Sequence, residues 1–426
     1  MPTTDAPLAL DAVRRRFPAL ARRVGANEVV FADAPGGTQV PAEVIVAVAD
    51  YLKNHNANLG GAFATSRETV EIVARARAAA AAFVNAANPD EMVFGANMTS
   101  LTFAMSRAIT RAWKPGDEVV VSTLDHDANV APWLLAAEDR GATVRVCKAD
   151  PTGWTIGARE LDAVLSPRTK LVALTLASNA TGSLVDLAPL VRRAHAVGAL
   201  VYVDAVHYAP HDLIDVQALG CDFLACSAYK FFGPHLGLLY GRRDHLESLQ
   251  AYKVRPSSAQ PPGKWETGTQ DFAAVAGLGA CLGYLGGLGL GIDLGAAADP
   301  GERLGRMAIA AGVARIKAHE RALSERFLLK AREVPGLRIH GLTHAREAGR
   351  RTPTFAVTST AWTPQQAAER LGEQGICTWA GHFYAIGLIE QLGLSEQGGV
   401  LRIGFAHYHT VEEVDRTVAA LTRLPG

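Results

Sequence analysis

Between residues 90 and 240 the chain alternates short apolar runs with longer stretches whose apolar positions recur every three to four residues. The short runs are EMVFGA, EVVVSTL, TVRVCKA, LVALTLAS, LVYVDAVHY, DFLACSA and GLLYG. Each is read as a β-strand, because a few Val, Leu and Phe residues fill a buried strand but not a helix. The stretches MTSLTFAMSRAITRA, NVAPWLLAAEDRG and LAPLVRRAHAVG are read as amphipathic helices. Strands apolar on both faces and separated by helices predict a mainly parallel sheet covered on both sides. DFLACSA and GLLYG lie too close for a crossover helix, so a local antiparallel element is expected there.

From about residue 290 the pattern changes. A long helical stretch from residue 303 to 333 leads to the strands GLRIHGL and TPTFAVTS, the helix PQQAAERLGEQG and the strand VLRIGFAHY. This is expected to be a smaller α+β unit. The expected division is a large domain over 25–289 and a small domain built from 1–24 and 290–426. A loop rich in Pro, Ser and Gln (255–270) precedes the division.

Composition adds little beyond exclusions. Lys plus Arg and Asp plus Glu both number 42, so the formal charge is zero. No basic surplus points to nucleic acid or to an anionic membrane, and neither is expected as a partner. The run nearest to a membrane span, residues 281–298, is interrupted by glycines and by Asp293, and is read as a buried helix followed by a turn. The N-terminal twenty residues lack the basic start and apolar core of a secretory signal, so a cytoplasmic location is expected. The five cysteines, Cys147, Cys221, Cys226, Cys281 and Cys377, follow no disulfide or zinc spacing. They are read as small core residues, and no metal is expected.

Candidate chemistry gathers at strand ends. In parallel α/β sheets ligands sit beyond the carboxyl ends of the strands. Asn97 and Thr99 follow the first strand, and His126 follows the second. Asn179 follows LVALTLAS, Asp204 and His207 lie in and after LVYVDAVHY, and Ser227 and Lys230 follow DFLAC. Taken singly, these are helix caps, turn formers and structural histidines. Taken together at one edge, around a lysine flanked by apolar residues, they form a site. A desolvated lysine has a lowered pKa and can form a Schiff base. A carboxylate at a strand end can hold the protonated ring nitrogen of pyridoxal phosphate. The helix start at NMTSLTF is a natural phosphate cradle. No GxGxxG or GxxxxGK[ST] pattern is present, so dinucleotide binding of the dehydrogenase type is disfavoured.

The runs VDAVHYAPH, CDFLACSAYKFFGPHLGLLYG, DHDANVAPW and ETGTQ resemble the class V aminotransferase group of fold-type I pyridoxal-phosphate enzymes, in its cysteine desulfurase and selenocysteine lyase branch. The likeness runs from VVFADAPGGTQVP (29–41) to VLRIGFAHYHTVEEVD (400–415) and includes the spacing of 26 residues between Asp204 and Lys230. It implies a fold-type I transferase with a seven-stranded-type sheet, pyridoxal 5′-phosphate as cofactor, an amino acid as substrate, and a homodimer with its active sites at the subunit interface. By the same resemblance Lys230 carries the cofactor and shuttles a proton, Asp204 pairs with the ring nitrogen and His126 stacks on the ring. Asn179 and His207 neighbour the ring hydroxyl. Thr99, the amide of Met98, Ser227 and Tyr229 contact the phosphate, Thr269 serves the phosphate of the other subunit, and Arg402 binds the substrate carboxylate. Tyr229 stands where the family usually has histidine.

Two segments depart from the family. The branch places a sulfur-accepting cysteine in a loop of the form R-x-G-x-x-C-A. Here the segment reads CTWAGHFYA (377–385), with Trp379 at the arginine position and Tyr384 at the cysteine position. A phenol cannot form a persulfide, and Cys377 lies seven residues upstream. NANLGGAF carries Gly60 and Gly61 where the family usually has a basic residue, and Arg67 is the nearby candidate to supply that charge. The leading expectation is therefore β-elimination on a cysteine-like amino acid without a persulfide, with His382 and Tyr384 as candidate acid or base groups. The alternatives are an aminotransferase or epimerase of the same fold, and a non-catalytic pyridoxal-phosphate-binding protein with a regulatory or scaffold role.

Overall fold

The computed structural model describes residues 7–291 and 303–424. The end of the apolar run 281–298 and part of the expected domain division lie outside the described residues.

Seven strands form the larger sheet. They are β1 (Met92–Gly95), β2 (Glu118–Ser122), β3 (Thr143–Cys147), β4 (Thr169–Thr175), β5 (Leu200–Asp204), β6 (Phe223–Ser227) and β7 (Gly237–Gly241). Their order across the sheet is β1-β7-β6-β5-β4-β2-β3. The pairs among β2 to β6 are parallel, as the doubly apolar runs predict. β7 is antiparallel both to β6 and to β1. Two reversals restore the direction, so β1 ends at the same edge as β2, β4, β5 and β6. The whole set of strand-end residues therefore meets at one edge.

The four-stranded sheet contains β8 (Leu337–His340), β9 (Thr354–Ser359), β10 (Trp379–Gly381) and β11 (Val400–Gly404), in the order β8-β9-β11-β10. All its pairs are antiparallel. β10 is only three residues long, too short to carry a periodicity.

Helices cover both faces of the large sheet. α1 is Ala64–Val84, α2 is Met98–Ile109, α3 is Phe272–Leu290 and α4 is Arg306–Ala331. α2 starts at Asn97, whose Oδ1 accepts from the Ser100 amide at 2.8 Å while the Ser100 hydroxyl receives the Asn97 amide. Such a capping box stabilises a helix start by about 1 kcal/mol. α3 is the described helix long and apolar enough to cross a membrane, yet 72% of that window is buried. Its glycines have a packing reason. A Cβ on Gly289 would collide with the Ala308 carbonyl, and one on Gly312 with the Leu285 carbonyl, so α3 and α4 cross in backbone contact.

α4 passes from one core to the other. Ile309, Val313 and Ile316 pack in the large cluster, whereas Leu323, Phe327 and Leu328 pack in the small one. Val13 and Phe17, expected with the small domain, pack in the large cluster, where Phe17 meets Tyr408 of the small unit at 4.9 Å. Arg14 ties this N-terminal segment to the small unit by a two-pronged contact with Glu413 at 3.0 Å.

Candidate active site

A cavity of about 490 Å³ opens at the carboxyl edge of the large sheet. Lys230 follows β6 and reaches into it. Its Nζ donates to the carbonyls of Pro35 and Gly36, the latter at 3.0 Å. Burial pushes the ammonium down to about 7, with Arg402 lowering it further and Asp204 and Asp33 pulling it back. A fair share of the amine is thus neutral, and nucleophilic, at pH 7.

Asp204 ends β5, 3% exposed, and its Oδ1 accepts from the Val206 amide at 2.8 Å. Burial raises its carboxyl to about 6. Among the described residues no cationic side chain stands within ion-pair distance of it. Asp125, which precedes His126 and lies outside the cavity lining, is pushed up to about 8 by burial, opposed by Ser122 and Asn129, with the Asp204 charge adding to the rise. The floor of the cavity therefore holds one carboxyl, Asp204, with no cationic side chain at ion-pair distance among the described residues.

His126 follows β2. Its Nδ1 accepts from the Ala128 amide at 3.0 Å, which leaves the proton on Nε2. Burial holds the ring down to about 4, reinforced by Lys230 and Arg402, so it is a neutral face on the cavity wall. Asn179 donates through Nδ2 to the Phe383 carbonyl at 2.9 Å, and its Oδ1 is buried without a hydrogen-bond partner. His207 is buried on the wall, with Nε2 3.1 Å from Thr352 Oγ1.

At the phosphate side Ser227 Oγ accepts from the Met98 amide at 2.9 Å. The Met98 amide, expected at the phosphate, is thus spent on Ser227, whose own hydroxyl proton stays available. Thr99 lines the cavity at the start of α2. Gly237 at the start of β7 lets the helix start come this close, since a Cβ there would strike the Asn97 backbone. Tyr229 stacks on His235 at 4.8 Å with the rings 6° apart, and Lys230 Nζ sits 4.9 Å from the Tyr229 centroid. His235 was missed by the sequence reading, since a histidine after Gly-Pro signals only a turn.

Several expected residues lie away from the cavity wall. Arg402 in β11 is buried behind Asn179, with Nη1 3.0 Å from the Asn179 carbonyl and its guanidinium over the Phe383 ring. Thr269 is exposed beside a second cleft that shares His235 with the main cavity. Arg67 is exposed and donates to the Ala62 carbonyl, not into the cavity. Tyr384 and His382 do not line the cavity either. Tyr384 is 63% exposed and its ring stacks on His126 at 5.2 Å and 27°. Phe383 and Tyr384 both have positive φ (52° and 57°), an unusual conformation for bulky residues. The loop is held there by the Asn179–Phe383 bond and by the Asp127 amide on the Tyr384 carbonyl at 2.7 Å.

None of the five cysteines lines the cavity. Cys147, Cys221, Cys226 and Cys281 are buried, and burial pushes the half-buried Cys377 thiol up to about 11.

Because Tyr384 lies off the wall, Tyr384→Phe is expected to leave kcat/KM within about fivefold of wild type. Removal of a working general acid or base would instead bring a roughly 10²–10⁴-fold loss. Steady-state kinetics of the variant separates the two.

The set fits pyridoxal phosphate. It offers a neutral-capable lysine, a buried carboxylate without a cation, a flat neutral imidazole, an unpaired amide oxygen and a helix start with a free hydroxyl.

Comparison with known proteins agrees with this geometry. The family described as aminotransferase class-V matches residues 30–294 and 303–417. A cysteine desulfurase of Dickeya dadantii is 32% identical over 430 residues, covering 97% of this chain and 96% of the relative. The aminotransferase-like protein FGM3 of Gibberella zeae is 32% identical over 431 residues, covering 98% and 99%. The crystal structure of the cysteine desulfurase CsdA of Escherichia coli superposes with a TM-score of 0.82 at 26% identity, over 98% of each chain.

Proposed function

The chain belongs to the class V aminotransferase family, and from that premise we propose that it breaks the Cβ–S bond of a cysteine-like amino acid and releases the sulfur to solution. It is a pyridoxal-phosphate-dependent enzyme of this family with carbon–sulfur lyase chemistry. The observation that carries the release of free sulfur is that no cysteine reaches the cavity and that an exposed phenol, Tyr384, occupies the loop tip.

When bound, pyridoxal phosphate withdraws electrons from Cα and so makes the Cα proton and a Cβ leaving group labile. The chain's own residues do the rest. Asp204 would hold the cationic ring nitrogen, and His126 would offer a flat, uncharged face to the ring. Ser227, whose hydroxyl proton is free, would hold the phosphate. Lys230 Nζ, neutral in good part at pH 7, takes the proton from Cα. Arg402 is the planar cation for the α-carboxylate in this reading, and its guanidinium, which lies behind Asn179, would have to turn into the cavity to reach it. The overall balance for cysteine is cysteine plus water to pyruvate, ammonia and sulfide. Thr269, exposed and away from its own cavity, serves a second subunit in this reading, which makes the working form a homodimer.

The test is product analysis with cysteine as substrate. Pyruvate, ammonia and sulfide in equal amounts, unchanged in Cys377→Ser, are expected. Alanine with sulfur retained on the protein, lost in Cys377→Ser, would overturn the reading. So would amino transfer to an added 2-oxo acid in place of pyruvate formation.

A further inference from the structure

We propose that Glu320 and His211 form a positioning pair that holds His207 uncharged at the cofactor, and that this pair is built across the junction of the two cores. The proposal rests on the reading that the main cavity takes pyridoxal phosphate.

Glu320 sits on α4 between Ile316 and Leu323, where the helix leaves one core for the other. It is 2% exposed. One carboxylate oxygen, Oε2, lies 2.8 Å from His211 Nδ1. The other, Oε1, has no hydrogen-bond partner. A carboxylate buried this deeply costs several kcal/mol unless it is paired. Neither core needs it for packing.

What the pair faces explains it. The His211 ring meets the His207 ring edge-on, 5.3 Å apart at 70°. His207 is thus held by His211 on one side and by Thr352 Oγ1 at 3.1 Å on another. Both of these line a second cavity of about 260 Å³, with Glu320, Asp212, Lys317 and Arg321. His207 and His211 come from the segment after β5, whereas Glu320 and Thr352 belong to the other unit. The orientation of a cofactor-side histidine therefore depends on the two units being docked.

The electrostatics follow the geometry. Burial pushes the Glu320 carboxyl up, and His211 and His319 draw it back. Burial holds His207 well below the usual imidazole range, and His211, Arg402 and Lys230 each add to this. Around the pair the facing groups are Lys317, His319 and Arg321 on the same helix, Asp212 beside His211, His407 after β11, and Arg351 from the segment before β9. Lys317 is paired with Asp212 at 2.6 Å and Arg321 with Glu325 at 2.9 Å. Glu320 is left as the anion that faces His211. His211, which Glu320 holds edge-on to His207, opposes a second proton there. His207 then keeps its single proton on Nε2, toward Thr352, whose hydroxyl can pass its own to the Gly182 carbonyl. Nδ1 remains as an acceptor.

Glu320→Gln keeps the shape and removes the charge. In protein labelled with ¹⁵N in its histidine rings and free of cofactor, His207 is expected to be neutral and protonated on Nε2 at pH 6. In Glu320→Gln its titration midpoint is expected to rise by about half a pH unit or more. Glu320→Asp is expected to restore the wild-type midpoint. A merely structural pair would change melting temperature but leave the His207 titration in place, and that result would sink the proposal. If the protein takes up no pyridoxal phosphate, the cofactor reading fails, and the ring-nitrogen titration still decides the pair. Should Glu320→Gln not fold, the wild-type ring signals decide: a cationic His207 at pH 6 overturns the assignment.

Discussion

Lys230→Ala is expected to abolish the visible absorption band of the protein incubated with pyridoxal phosphate, and to lower turnover by about 10³-fold or more. The wild-type band should be bleached by borohydride and the variant should show none to bleach. The physical ground is the lysine's surroundings. Its amine is desolvated enough for its pKa to fall to about 7, and among the described residues its hydrogen-bond partners are the carbonyls of Pro35 and Gly36. Both hold the amine in place without neutralising it, so it stays ready to attack a carbonyl and then to carry a proton. Lys230→Arg keeps the charge but cannot act as a base near pH 7. It is expected to be as inactive as the alanine variant. A variant that still forms the band and turns over substrate at more than a tenth of the wild-type rate would refute the assignment of Lys230.

Asp204→Asn should act in opposite directions on two measurements. The carboxyl is raised to about 6 by burial, so the folded protein without cofactor binds its proton more tightly than the unfolded chain does. Stability of the cofactor-free protein therefore falls as pH rises through the window from about 4 to about 6, and the penalty is fully present above it. Asparagine removes that penalty. Cofactor-free Asp204→Asn is expected to be more stable than wild type at pH 7.5 by on the order of 1–3 kcal/mol, and the gain should vanish by pH 4. The loaded protein should behave the other way. Without the carboxylate, a cationic ring nitrogen has no counter-charge, and turnover is expected to drop by about 10²-fold or more with weaker cofactor retention. Thermal melts at pH 4 and 7.5, with and without cofactor, check both halves. Equal destabilisation in both forms would mean that Asp204 only supports the fold.

Much of this site was legible before any coordinates. Asp204, Asn179, His126, Ser227 and Lys230 each follow an apolar run, and the rule that parallel strands present their carboxyl ends to a ligand collected them. Asn97 was legible as a residue after the first strand, but its place at the shared edge depends on the two reversals around β7. What could not be read was direction. Met98 carries an amide at a helix start, yet that amide is turned to Ser227. Tyr384 was expected as an acid or base at the substrate, yet its ring leans on His126, outside the wall. Residue type and position in a motif do not say where a side chain goes once two consecutive residues adopt positive φ.

The sequence by itself determined the cofactor chemistry and the layered sheet that presents it. Strand periodicity and the chemistry of residues at strand ends are local properties, and a local pattern survives whatever the distant parts of the chain do. Only the tertiary structure decided what surrounds that chemistry. Thr352 beside His207, Glu320 beside His211, Asn179 beside Phe383 and Arg402 beside Asn179 join segments more than a hundred residues apart. Such contacts are set by how two cores dock along α4, a packing arrangement with no period and no motif to announce it.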